Sequence, residues 1–575
     1  MFKLTSYLKR YKGKAILGPV FKFFEAIFDI ITPILVALIL DVGVPNGDKE
    51  YIIVISVVVI LMNALGFVCA IVCSKCASKV SRGVGLDIRR DMYKKVNELS
   101  SAEKDKFTTM ALTNRIVHDV NQLEIAISVT IRQVARAPFL LIGSIIATLI
   151  IDIQLCAIFL VLTPIILLVV ILIMKKTSPM YMQAKTELDK VSNVTRENLS
   201  GNRVVRAFNK QENEKAKFDK VNGQFTTTNI NIGKLSAIMQ PLLYLIINAG
   251  SIAVVYFGGV RVNIGGLTQG KIITFINYFM QISMALVIIA RMIMIYIKTG
   301  ASIKRINEVF TMSSSIKNAS KPLPLTKDTP ANIEFLNVNF SYNNLKNMVN
   351  DLSMYVPAGS TLGVIGGTGS GKSTLVNLLP RFYDVSSGEI LINGVNIKKY
   401  DIGDLRKYIS IVPQNPTLFK GTIESNLKFR NKNIGAEDMV KALMISQSYE
   451  FVCEKPDGIK SKVERGGTNF SGGQRQRLTI ARALVDNPKI IILDDSSSAL
   501  DFETDYKLRK ALATMLKDTT KIIVSQRTNS IKDADNIIVL DNGNVVGMGK
   551  HEELLETCEI YKEIHKTQNK EENDG

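Results

Sequence analysis

Cysteine is scarce in this chain, with six residues in 575, and three of them are clustered as Cys69, Cys73 and Cys76. No histidine or carboxylate completes a metal-ligand set at that cluster, so the thiols read as small apolar filler and no disulfide framework is expected. A cleavable leader is not expected either. The charged start Met1-Phe2-Lys3-Leu4, continuing to Lys14, leads into an apolar run that is too long, contains Glu25 and Asp29, and lacks a small-residue cleavage site. Residues 1–14 are therefore expected to stay on as an amphipathic segment lying on a membrane. Basic residues are nearly absent from 41–50, where Lys49 stands alone beside Asp41, Asp48 and Glu50.

What is abundant is apolar sequence: 47% of residues are hydrophobic and the mean hydropathy is +0.17. These residues are bunched into runs of the length a bilayer-spanning helix needs. Six are read, at roughly 15–41, 51–74, 137–152, 154–174, 237–260 and 271–299. A net charge of +19 raises the question of nucleic acid, and its placement answers it. Ten Lys and Arg fall from Lys75 to Arg115 and twelve from Lys175 to Lys234. Cytoplasmic loops collect basic residues, so those two segments lie inside and 41–50 lies outside. The lipid bilayer is the expected partner, and nucleic acid is not. The expected location is the cell membrane, crossed several times.

The two basic segments have few prolines or glycines. The stretch Leu86-Asp87-Ile88-Arg89-Arg90-Asp91-Met92-Tyr93 has helical apolar spacing. The spanning helices are thus expected to run on into the cytoplasm and turn around at polar elbows near 108–114 and 199–208, which are suited to docking on a soluble domain. Beyond 311 the pattern changes. Ser313-Ser314-Ser315 and Lys321-Pro322-Leu323-Pro324 mark a linker, and then short β-branched runs at 362–365, 409–412, 490–493 and 522–524 alternate with helical stretches. The expected fold is multi-domain: a six-helix all-α transmembrane domain with long intracellular helical extensions, followed by an α/β P-loop nucleotide-binding domain. The boundaries read as 1–14 membrane-lying, 15–311 transmembrane, 312–331 linker, 332–567 nucleotide-binding and 568–575 polar tail.

Gly366-Gly367-Thr368-Gly369-Ser370-Gly371-Lys372-Ser373 fits G-x4-G-K-S/T and follows a strand-like run. Its glycines let backbone N–H groups wrap phosphate oxygens, and a helix opening at Lys372 adds its positive end. Lys372 is placed to reach the β- and γ-phosphates and Ser373 to offer a hydroxyl to Mg²⁺; the following Thr374 joins this ATP-binding set. The run Ile490-Ile491-Ile492-Leu493-Asp494 ends 122 residues after Lys372 and places a carboxylate beside the Mg²⁺ site. ATP and Mg²⁺ are the expected cofactors.

With Asn469-Phe470-Ser471-Gly472-Gly473-Gln474, the chain resembles the ATP-binding cassette (ABC) exporters of the half-transporter type. Phe470 stands where their LSGGQ signature has leucine. The resemblance covers almost the whole sequence. It implies that Tyr342 stacks on adenine and that Gln414 senses Mg²⁺ and contacts the membrane domain. It also implies that Ser498-Ala499-Leu500-Asp501 links two ATP sites, and that 470–474 completes the ATP site of a partner subunit. The stretch from Glu197 to Phe208 resembles the second intracellular elbow.

Two positions depart from that family pattern. Asp495 stands where glutamate polarises the attacking water, and Gln526 stands where histidine contacts the γ-phosphate. Aspartate is one methylene shorter, a shortfall of roughly 1 Å that can cost about 10²-fold in rate. Glutamine still hydrogen-bonds, but it cannot take up a proton as histidine does. Two copies of this chain would form two equally impaired sites. The intact signature therefore implies a heterodimer with a second half-transporter, in which this chain holds ATP in a degenerate site.

In the spans, Glu25, Asp29, Asn248, Gln281 and Arg291 are candidates to line a substrate cavity, with structural pairing as the rival reading. Drugs or other amphipathic compounds are the expected cargo by analogy. A lipid flippase, a peptide exporter or a nucleotide-gated subunit are the alternatives. A peptide-processing exporter is disfavoured, since no protease-like domain precedes the first span.

Overall fold

A computed structural model describes residues 4–342 and 347–573, and the side chains of 569–573 are left aside. The first three residues of the expected amphipathic segment and the last two of the expected tail fall outside the described residues. The chain divides into two compact units. One is Met1–Asn97 with Thr109–Met312; the other is Glu98–Thr108 with Ser313–Gly575.

The first unit is all-α. Six helices are long and apolar enough to cross a membrane: Lys12–Gly43, Lys49–Glu98, Thr109–Ile151, Ile153–Ser200, Gln211–Asn263 and Gln269–Thr311. The second helix has 50 residues, about 75 Å at 1.5 Å per residue, more than twice a bilayer core. The expected extensions beyond the membrane are thus present as continuous helix. The third and fourth spans are parted by Asp152 alone, whose carboxylate accepts from the N–H groups of Gln154 and Leu155 and so caps the new helix. Arg261 pairs with the same carboxylate at 2.7 Å. Phe159, Phe275 and Phe279, with ring centroids 5.2–5.5 Å apart, form the apolar centre between the later spans.

The second unit is α/β. A six-stranded sheet runs in the order β12-β11-β3-β10-β9-β6. Its strands are β3 (Thr361–Gly366), β6 (Ile409–Val412), β9 (Ile490–Asp494), β10 (Thr520–Val524), β11 (Asn536–Asp541) and β12 (Asn544–Gly549). All neighbours are parallel except the β11–β12 edge pair. The four β-branched runs picked out in the sequence are four contiguous strands of it, β3-β10-β9-β6, with β6 at the edge. A four-stranded antiparallel sheet, absent from the expectation, is built from β1 (Ile333–Phe340), β2 (Val349–Val356), β4 (Ser387–Ile392) and β5 (Val395–Asn396). The ribbon β7 (Gly421–Thr422) with β8 (Lys462–Val463) lies in the helical part that carries the signature. The first elbow also differs from expectation: the excursion is Glu98–Thr108, not 108–114, which lies in the helix Thr109–Asn114 and its neighbourhood. Ser315 donates its N–H to Glu103 at 3.2 Å, and Tyr383 donates its hydroxyl to Asp105 at 2.5 Å, so this segment is fastened to the nucleotide unit. The last helix, Glu559–Asn573, continues through most of the stretch read as a polar tail.

Candidate nucleotide site

The parallel sheet directs two strand ends to one place. β3 ends in the glycine loop and β9 ends in Asp494. The loop must pass close to its surroundings: a Cβ on Gly371 (φ +104°) would stand 2.2 Å from the Met348 carbonyl oxygen. The helix Lys372–Leu378 starts at the loop's end, so its N–H groups and dipole face the same space. Lys372 donates to the carbonyl oxygens of Gly366 (2.8 Å) and Gly367 (2.7 Å), which keeps the ammonium over the cradle. Burial pushes its pKa down, while Asp494 and Asp495 oppose that shift.

One cleft of about 190 Å³ collects Thr368 to Thr374, Gln414, Asp494, Asp495 and Gln526, joined by Met348 and Val524. The last two were not singled out in the sequence. They are apolar residues with no motif of their own, which the strand ends bring in. Tyr342 stands at the loop's far end, its hydroxyl 3.1 Å from that of Thr374. It is held edge-on by Phe340 and Tyr383, with the ring 43% exposed, as a stacking platform requires.

Ser373 donates its hydroxyl to Asp494 at 3.2 Å. A hydroxyl and a carboxylate, with the amide oxygen of Gln414 lining the same cleft, are the hard oxygen donors that suit Mg²⁺. Burial raises the pKa of both Asp494 and Asp495, and each is only 8% exposed. Asp495 lines the same cleft. Its backbone is left-handed (φ +46°), a conformation Asp tolerates better than most residues. One carboxylate oxygen, Oδ2, accepts from both Gln414 Nε2 (3.1 Å) and Gln526 Nε2 (3.3 Å). The two substituted positions are therefore in direct contact, and the short acid is engaged by two amides.

The signature residues Phe470, Ser471, Gly472, Gly473 and Gln474 lie elsewhere; among the described residues none of them lines this cleft. Ser471 caps the helix Gly472–Leu484 in a reciprocal box: its Oγ accepts from Gln474 N–H (3.2 Å), and Gln474 Oε1 accepts from Ser471 N–H (3.1 Å). Gly473 approaches the linking loop, since a Cβ there would lie 3.2 Å from the Ala499 carbonyl oxygen. In that loop Ser498 donates to the Asp495 carbonyl at 3.0 Å, Leu500 is buried, and Asp501 caps the helix Phe502–Met515. The loop thus touches both the Asp495 backbone and the start of the signature helix. Phe470 is 4% exposed within the helical core, with the Lys455 ammonium 4.7 Å from its ring. Its departure from leucine is a matter of packing. Phe470→Leu is expected to lower the thermal midpoint by a few degrees, about 1 kcal/mol, and to leave ATP turnover of the assembled transporter unchanged.

Of the five cavity candidates, three already have partners. Glu25 pairs with Lys22 at 2.7 Å, and Asp29 pairs with Arg136 at 2.9 Å. Arg136 also lies 3.9 Å from Glu25. Gln281 donates to the Asp29 carbonyl oxygen (2.9 Å) and accepts from Ser144. The four charges sum to zero. Asn248 and Arg291 are exposed on their helices. Arg136→Met leaves Asp29 unpaired and is expected to cost about 1–3 kcal/mol, reduced from the fully buried case by partial exposure. The check is a thermal melt in detergent, in which adding Asp29→Asn recovers part of the loss.

Comparison with known proteins agrees with this geometry. The family profile described as ABC transporter transmembrane region matches residues 15–286, and the one described as ABC transporter matches residues 349–498. An ABC transporter ATP-binding protein of Mycobacterium tuberculosis is 33% identical over 569 residues, covering 98% of this chain and 97% of the relative. The ATP-dependent lipid A-core flippase of Haemophilus ducreyi is 29% identical, with 98% and 97% covered. A solved bacterial Atm1-family ABC exporter with ATP bound superposes with a TM-score of 0.78 at 23% identity, covering 97% of this chain and 98% of its own.

Proposed function

The chain belongs to the ABC transporters as an exporter half-transporter, and from that membership we propose that it is the slow-turnover subunit of a heterodimeric exporter. The observation that carries this reading is Asp495, short by a methylene and bonded to both Gln414 and Gln526. ATP lies with adenine on Tyr342 and its phosphates along 366–374, with Lys372 on the β- and γ-oxygens. Ser373, Asp494 and Gln414 would hold Mg²⁺, which would supply charge neutralisation at the phosphates. No group is left to polarise water from the distance a glutamate would bridge. The signature helix, with its exposed Ser471 and Gly472, faces the γ-phosphate held by the second half-transporter.

The elbows support a partner as well. The first is fastened to this chain's own nucleotide unit, whereas the second, around the short helix Asn202–Ala207, presents Leu199, Val204 and Phe208 at 60–72% exposure. Apolar residues exposed at an elbow are a docking surface awaiting a second subunit. The nucleotide unit and the N-terminus lie on the cytoplasmic side of a bacterial-type plasma membrane. ATP binding closes the paired nucleotide domains, the elbows carry that motion, and the cavity opens outward. Hydrophobic or amphipathic small molecules are the cargo.

A lipid flippase is the second reading, favoured by the full-length match to the flippase of H. ducreyi. Inverted vesicles carrying the chain with its cognate half-transporter separate the two. Concentrative, ATP-dependent uptake of an amphipathic dye supports the small-molecule exporter. Transbilayer movement of labelled lipid without dye uptake supports the flippase. Dye that only equilibrates across the membrane on ATP addition identifies a gated path and overturns both.

A further inference from the structure

We propose that Gln568, on the last helix (Glu559–Asn573), is a positioning residue for the switch loop, residues 525–528 after β10, and sets where Gln526 stands in the nucleotide cleft; this rests on reading Gln526 as the switch residue, the one that contacts the γ-phosphate. The amide of Gln568 spans the loop. Its Nε2 donates to the Gln526 carbonyl oxygen at 2.7 Å. Its Oε1 accepts from the Thr528 N–H at 2.9 Å and from the Thr528 hydroxyl at 3.0 Å. The neighbouring His565 Nδ1 lies 3.0 Å from that same hydroxyl. Thr528 is fully buried, so its main-chain donor has no access to water and needs this acceptor.

The arm that carries Gln568 is itself anchored. Tyr561, His565 and Gln568 follow i, i+4, i+7 spacing and so share one face of the helix. Tyr561 is fully buried in a cluster with Ile531, Ile537 and Leu554, and its hydroxyl lies 2.7 Å from His551 Nδ1. Ile531 belongs to the chain segment just beyond the switch loop. The helix therefore grips the loop from both sides of Thr528. The loop's other end is fixed to the sheet, where Ser525 N–H donates to the Val364 carbonyl. Between these anchors Gln526 extends its side chain to Asp495. A peptide held at 525 and at 528 leaves the side chain at 526 one narrow range of approach, and Gln568 supplies the second hold. No motif draws attention to Gln568, and by composition it falls in a polar tail.

Dissociation of a fluorescent ATP analogue with Mg²⁺ from the purified full-length chain tests this. Gln568→Leu keeps helix propensity and bulk and removes all three hydrogen bonds. It is expected to raise the dissociation rate roughly fivefold, the size of one lost hydrogen bond, with the association rate unchanged and the nucleotide-free melting midpoint lowered by a few degrees, because the buried Thr528 N–H loses its acceptor. Gln568→Glu keeps the acceptors for Thr528 and turns a carboxylate toward the Gln526 carbonyl, so it is expected to shift the rate the same way. Gln526→Leu is expected to raise the rate too, and the double variant Gln526→Leu/Gln568→Leu to add nothing beyond Gln526→Leu alone. Additive effects, or an unchanged rate in Gln568→Leu beside a raised one in Gln526→Leu, overturn the role of Gln568. A lowered melting midpoint with an unchanged rate also overturns it, leaving a packing residue. If Gln526→Leu itself leaves the rate unchanged, the assignment of the switch position fails instead.

Discussion

Asp495→Glu combined with Gln526→His raises ATP turnover by the purified chain on the order of 10²-fold. The added methylene carries the carboxylate past the point where Gln414 and Gln526 now hold it, toward the water in line with the γ-phosphate. Histidine at 526 removes one of the two amides that engage the acid and restores a side chain able to carry a proton. Glutamate must accept the left-handed backbone at 495, a cost on the order of 1 kcal/mol that the fixed ends of β9 and β10 can bear. Phosphate release by the detergent-solubilised chain, with and without both substitutions, is the measurement. Unchanged turnover would remove the chemical basis for calling the site degenerate.

Gly472→Asp is expected to reduce ATP turnover of the proposed heterodimer on the order of 10²-fold, the scale seen when one preorganised anion contact is lost from a transition state. The position makes the result informative. A Cβ built on Gly472 meets no atom within 4 Å, so the chain folds around the new side chain without rearrangement. The aspartate nevertheless places a negative charge at the start of the signature helix, where the γ-phosphate held by the proposed partner would sit. Lys372→Ala is the companion: it weakens ATP at this chain's own cleft and is expected to slow turnover much less. A melting midpoint close to that of the unmodified complex shows that Gly472→Asp acts on the site and not on the fold. If Lys372→Ala proves the more damaging of the two, the division of labour runs the other way.

The features legible in the sequence are those written locally. Gly366 to Ser373 and the run ending in Asp494 carry their geometry in consecutive residues, and the sheet brings them together as expected. Six spans follow from length and apolarity alone. The antiparallel sheet was hidden because β1 is irregular: Asn337 has φ +46° and the register shifts on either side of Val338, which breaks the alternation that marks a strand. The first elbow was placed some ten residues late, although Ser100 and Glu103 have the spacing of a capping box and make a side-chain contact with each other. Glu25 and Asp29 are cavity candidates in the sequence, but the Arg136 that pairs with Asp29 is 107 residues away and no periodicity points to it. Signals within one helical turn survive in sequence, whereas partners supplied by another element do not.

The most direct test is the steady-state ATPase rate of this chain purified alone, set beside that of the same chain co-purified with the proposed second half-transporter. With Asp495 and Gln526 in both sites of a homodimer, the lone chain is expected to turn over on the order of 10²-fold more slowly than the complex. A lone chain that hydrolyses ATP as fast as the complex would contradict the degenerate site and, with it, the need for a partner.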